Sequence, residues 1–155
     1  MSECPPFTAG LEPTLVEVAR VGSALRDDWW IIGSAAIALT GVNIEVLDVD
    51  LLDSERDAQT LLTGWAAPGT PTSGHDRFRA VLGTYAATPI PIEVMGRLEV
   101  NMDDQWVPVV PTTRIGIDRP GGTVYIPDPD DLLALLLMFR RPQDLVRAEM
   151  LLHRP

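Results

Sequence analysis

Asp48 and Asp50 are the only polar residues in an otherwise apolar run, VLDVDLL. A run of this kind reads as a strand, and residues i and i+2 of a strand share a face. Both carboxylates therefore emerge on one side, next to a core. Like charges held together near a core raise one another's pKa and cost stability unless a cation or strong donors neutralise them. A hard divalent metal, which takes oxygen ligands, is the simplest neutraliser. Glu93 is a third acid in an apolar, strand-like stretch, IPIEVMGRLEV, where Ile90, Ile92 and Val94 lie on the opposite face. One glutamate on an open sheet face is ordinary; what gives Glu93 weight is the aspartate pair upstream.

The segments that must position these acids follow from hydrophobic spacing. Upstream of the aspartates, Trp29–Ile32 is a strand-like run that ends at Gly33 and Ser34, and the small-residue segment AAIALTG continues as a helix. Residues 12–26 place Leu15, Val18, Ala19, Val21 and Leu25 near helical spacing, which predicts an amphipathic helix. After the aspartates, Asp53 or Ser54 can cap a helix over 55–66 with Ala58, Leu61, Leu62 and Trp65 on its apolar stripe. Residues 67–76 are rich in Pro, Gly and small polar residues and read as a loop, either a lid or a solvated connector. His75 ends this loop, and with His153 as the only other histidine no histidine metal cluster is visible.

Residues 78–86 and 90–100 read as neighbouring strands parted by Thr88-Pro89, and 101–126 as shorter β pieces broken by turn signals. Asp128 then caps a helix with Pro129 at its first position. The run LLALLLMF is apolar all round and predicts a buried helix, which Arg140 and Arg141 close. Pro142 opens a last helix in which Asp144 and Arg147 can pair at i, i+3. The order of elements predicts a mixed α/β (α+β) fold, a mixed sheet flanked by helices, with an incomplete parallel component and two C-terminal helices.

The 155 residues suffice for one domain, expected over 11–155 behind a tail at 1–10. The net charge of -10 comes from 22 acids against 12 bases, all of them arginine. Such a surface repels long polyanions, so nucleic acid is not an expected partner. The single thiol, Cys4, cannot form an internal bridge, and no signal peptide or apolar run of membrane-spanning length is present. A soluble, cytoplasmic protein is expected. The apolar helix and the four tryptophans would serve a monomer core or a homodimer seam equally well.

Gly33-Ser34, thirteen residues, Asp48-x-Asp50 and then Glu93 on a later strand resemble the signature of the nucleotidyltransferase fold of the DNA polymerase beta superfamily. The phrasing IIGSAAIALTG before DVDLL, FRAVLG before PIEVMG, and PDPDDLLALLL before RRPQDLVRAEML extends the likeness from Trp29 to Leu152. It is most similar to small stand-alone bacterial members, among them antibiotic nucleotidyltransferases and toxin-like proteins. The resemblance implies metal-dependent transfer of a nucleoside monophosphate from a nucleoside triphosphate such as ATP to an acceptor hydroxyl, on a small molecule or on a protein. It implies that Asp48 and Asp50 hold two Mg²⁺ (or Mn²⁺) ions, and that Glu93 ligates the metal that activates the acceptor. It further implies that Gly33 and Ser34 meet the triphosphate.

The sequence departs from the family pattern in two places. A lysine usual in the penultimate helix is missing, with Leu135-Leu136 in its neighbourhood, and the Arg-x-Lys-Asp-like element reads Arg141-Pro142-Gln143-Asp144. Arginine can substitute, with Arg79, Arg140 and Arg141 as candidates for binding phosphate. Without the resemblance, Asp48 could cap a turn, Asp50 could pair with an arginine and Gly33 could simply end a strand. The alternative function is a degenerate interaction module of the same fold, one half of a two-protein system.

Overall fold

The structure, a computed structural model, describes residues 9–71 and 77–154. Most of the expected tail, Cys4 and His75 lie outside the described residues. In chain order the elements are α1 (Leu11–Gly22), β1 (Trp30–Ile32), α2 (Gly33–Leu39), β2 (Val49–Asp53), α3 (Glu55–Gly64), β3 (Gly69–Pro71), β4 (Phe78–Tyr85) and β5 (Ile92–Met102). They continue with β6 (Gln105–Pro108), β7 (Ile115–Arg119), β8 (Gly122–Ile126), α4 (Pro129–Phe139) and α5 (Pro142–Leu152). The fold is mixed α+β, as its sequence predicts.

Strands β1-β2-β5-β4-β3 form a mixed sheet in which only β2 and β5 run parallel, and β6 pairs with the far half of β5. The register sets Asp50 beside Glu93 across β2 and β5, and Ile32 beside Asp50 across β1 and β2. Strands β7 and β8 form a separate hairpin packed on α1. On one side of the main sheet α1 and α3 bury Leu15, Val18, Ala58 and Leu61 against Ile31, Leu51, Ile92 and Val94. On the other side α4 brings Leu135 and Phe139 onto Ile32, Leu52, Leu98 and Val100. A β-bulge makes that second core possible. The pairing slips between Arg79 and Val81, opposite Gly96 to Glu99, and Arg97 takes a positive φ of 55°. The extra residue inverts the alternation, so Leu98 and Val100 follow Met95 onto the side that Glu93 faces.

Local chemistry explains most boundaries. Ser54, not Asp53, caps α3, accepting from the Asp57 amide at 3.2 Å, and Asp128 caps α4 by accepting from the Asp131 amide at 2.8 Å. Helix α1 stops at Gly22 rather than at residue 26, because the Trp29 ring packs where a side chain at 22 would stand, 2.2 Å from its Cβ position. Beyond it the chain is tied down by Asp57, whose carboxylate accepts from the Arg26 and Asp27 amides. Part of the expected 67–76 loop is the edge strand β3, antiparallel to β4. The expected strand over 46–52 begins only at Val49, so Asp48 sits one residue ahead of it. Helix α4 is not buried all round: Leu132, Leu135, Leu136 and Phe139 face inward, whereas Leu137 is 49% exposed. Among the described residues no helix is long and apolar enough to cross a membrane.

Candidate functional site

Three neighbouring chain segments place the acids. Asp50 points out of β2 between its β1 and β5 neighbours, Asp48 reaches in from the residue before the strand, and Glu93 stands directly across on β5. One carboxylate oxygen from each lies within 4.8 Å of the others. Burial, then the charges of Asp48 and Glu93, push the Asp50 carboxyl well above the usual range, and Arg147 pulls it back in part. Burial and Asp48 raise Glu93 as well, opposed by Arg141. A cluster of three hard oxygen donors that resist ionising together suits a divalent cation, which would supply the missing positive charge.

Gly33 closes the β1 side. Its φ is +70°, and a Cβ there would stand 2.6 Å from Asp50 Oδ2, so a side chain is excluded both by backbone strain and by the carboxylate. Ser34, the next residue, is 3% exposed and does not line the cavity that the acids open into.

That cavity measures about 310 Å³ and runs between the sheet and the junction of α4 with α5. Asp48, Asp50 and Glu93 line one end, with Gly33 beside them; Arg79, Arg141 and Arg147 also border it, and Arg140 does not. Arg140 ends α4 in a left-handed conformation, exposed to solvent. Arg141 forks onto Asp144, Nε at 2.7 Å and one terminal nitrogen at 3.0 Å, and its own amide also donates to that carboxylate at 3.1 Å. Asp144 is 0% exposed and has Arg147 at 4.0 Å from Oδ1, the oxygen that also accepts from the Arg141 terminal nitrogen. One buried carboxylate thus holds two guanidinium groups near the acid cluster. Arg79 pairs with Glu99 at 2.7 Å and lies 4.4 Å over the Trp106 ring.

Of the residues singled out from sequence, Asp48, Asp50, Glu93, Gly33, Arg79 and Arg141 meet in one cavity; Ser34 and Arg140 do not border it. Sequence reasoning missed Arg147 as a wall of the site. The signal was there, since Arg141, Asp144 and Arg147 repeat at three-residue steps and so share a helix face. It also missed the aromatic end of the cavity, where Phe78 and Phe139 meet edge to face at 5.2 Å.

No family model and no curated protein matches the sequence. The fold does have relatives among solved structures. A crystal structure from Thermotoga maritima, described as a candidate nucleotidyltransferase, superposes with a TM-score of 0.70 at 20% identity, over 91% of this chain and 92% of that one. An antigenic nucleotidyltransferase-like protein from Paracoccidioides brasiliensis superposes with a TM-score of 0.53 at 19% identity, over 92% of this chain and 75% of that one. With the acid cluster seated on β2 and β5 and this likeness in backbone, the chain has the nucleotidyltransferase fold.

Proposed function

We propose that this protein is a metal-dependent nucleotidyltransferase that moves a nucleoside monophosphate from a nucleoside triphosphate to an acceptor hydroxyl. The observation that carries the reading is the convergence of Asp50 on β2, Asp48 just before it and Glu93 on β5 within 4.8 Å, facing a cavity bordered by arginines. Nucleotidyl transfer builds negative charge on the attacking and departing oxygens, and bound Mg²⁺ or Mn²⁺ would neutralise it. The two aspartates would hold the ions, and Glu93 would share one of them.

The remaining steps belong to the chain's own groups. Gly33 leaves backbone free of side chain next to Asp50, so a phosphate can come close. Arg141 and Arg147, at the junction of α4 with α5, would grip triphosphate oxygens in place of the missing lysine, with Asp144 holding both. Glu93 would ligate the metal that activates the acceptor hydroxyl and would help remove its proton. The acceptor we favour is a hydroxyl on a small molecule, because a chain of net charge -10 offers no footprint for RNA. A protein hydroxyl is the second choice.

A melting scan with each ribonucleoside triphosphate, with and without Mg²⁺ or Mn²⁺, tests the reading, since a ligand bound only by the native state stabilises it. The expected result is a metal-dependent upward shift that disappears in Asp48→Asn/Asp50→Asn. A folded protein that shows no shift with any triphosphate would favour the degenerate interaction module instead.

A further inference from the structure

The cavity changes character along its length. Its floor follows β5 from Glu93 through Met95 to Leu98, and the bulge at Arg97 keeps all three side chains on the cavity side. With the bulged residue adding no rise, this stretch matches four steps of β4 and spans roughly 13 Å. At the Glu93 end the walls are acids. At the Leu98 end they are Leu82, Phe78 and Phe139, with the two rings edge to face. Arg141 stands between: its charge reaches Glu93, and its guanidinium lies 5.2 Å from the Phe78 ring centre and 6.0 Å from that of Phe139. The order along the groove is therefore carboxylates, guanidinium, aromatic wall. Read as a complement, that order is metal with phosphate, then further phosphate or sugar, then a planar apolar group.

We infer that the aromatic end seats the nucleobase of the triphosphate substrate and holds it by stacking and apolar contact, so that the protein discriminates little among the bases. This rests on the proposed nucleotidyltransferase reading and adds the substrate's other half to it. The floor there, Leu82, Met95 and Leu98, has no side-chain group able to hydrogen-bond a base edge. Of the polar walls, Arg79 is already bonded to Glu99 and stacked on Trp106, Arg141 and Arg147 are paired with Asp144, and Gln143 is exposed to solvent rather than buried. Strong base selection comes from buried polar groups that only the correct edge satisfies. Stacking, by contrast, accepts any base, because each has a π-face.

Calorimetric titration of the whole protein with Mg²⁺ and inorganic triphosphate, and then with Mg²⁺ and each of the four ribonucleoside triphosphates, separates the two halves of the ligand. Inorganic triphosphate should bind, and every nucleotide should bind about tenfold or more tightly than it, from the stacking contribution. The four should agree within roughly fivefold, as a sequence-tolerant contact requires. Phe78→Leu should remove most of the nucleotide advantage and leave triphosphate affinity unchanged. Phe78 is half-buried and packs on the edge of the second core, so Leu keeps part of its apolar contact, and Phe139→Leu repeats the test at a buried position. The inference is overturned if nucleotides bind no better than inorganic triphosphate, as they would if the slot held an acceptor's ring. It is also overturned if one base is preferred by about a hundredfold, the mark of hydrogen-bonded readout, or if Phe78→Leu leaves the advantage intact. Failure of inorganic triphosphate itself to bind with Mg²⁺ would instead count against the nucleotidyltransferase reading on which the inference stands.

Discussion

Asp50 and Asp53 lie three residues apart on β2, both carry carboxyls raised well above the usual range, and they point to opposite faces of the sheet. Around Asp50 stand two more acids, two arginines and a cavity open to ligand. Asp53 is 5% exposed, neither of its oxygens has a hydrogen-bond partner among the described residues, and burial followed by the charge of Asp57 pushes it up to about 8. The same residue type on the same strand thus meets two fates. A raised carboxyl marks a site only when other donors and an opening converge on it; sealed among side chains, it marks a protonated core group.

The largest expected effect tests the first half of that contrast. Asp50→Asn should leave the protein folded and reduce nucleotidyl transfer by at least about a thousandfold, the loss of several kcal/mol of charge stabilisation at the reacting centre. Measured turnover within tenfold of the native protein would remove Asp50 from the site.

Asp53→Asn tests the second half. A carboxyl raised on folding binds its proton in the native state while the unfolded chain has already lost it. Between about pH 4, the unfolded value, and pH 8, the folded one, stability therefore falls as pH rises. The amide has no proton to lose, so the variant's stability relative to the native protein should grow from pH 5 to pH 8 by up to ~1.4 kcal/mol per pH unit. Urea melts at the two pH values give the difference directly, and a difference that does not change with pH would show Asp53 to be ionised in the folded state.

Gly33→Ala sharpens the comparison from the start of α2. A left-handed alanine costs about 1–2 kcal/mol, and its Cβ would also displace the Asp50 carboxylate. Stability should fall by that amount and nucleotide binding should fall further; an equally tight complex would show that the approach to Asp50 is not needed. Arg147→Gln is the mildest change. Nucleotide affinity should drop about tenfold, as for one lost charge-assisted contact, with partial recovery in Arg147→Lys. Unchanged titrations would assign Arg147 to holding Asp144 alone.

Much of this site is legible in the sequence, because a period of two and an Asp-x-Asp pair suffice to put carboxylates on one face of adjacent strands. The register that aligns Asp50 with Glu93 is not local information, yet the apolar alternation around both acids already points them away from one core. What was hidden depended on geometry between elements. The bulge at Arg97 inverts the side-chain alternation of β5 without a glycine or proline at that residue to announce it. Which arginines face the cleft depends on how α5 settles against the sheet, so Arg79, Arg140 and Arg141 could not be ranked by spacing. The apolar run of α4 suggested full burial, but only one face meets the sheet and Leu137 remains in solvent.

Binding of Mn²⁺, followed by loss of the free-ion electron paramagnetic resonance signal, tests the claim that Asp48, Asp50 and Glu93 form a metal site more directly than any rate. With a nucleoside triphosphate present, the native protein should take up Mn²⁺ beyond what the nucleotide alone retains, Asp50→Asn should lose that excess, and Asp53→Asn should keep it. Equal uptake by the native protein and Asp50→Asn would contradict the account.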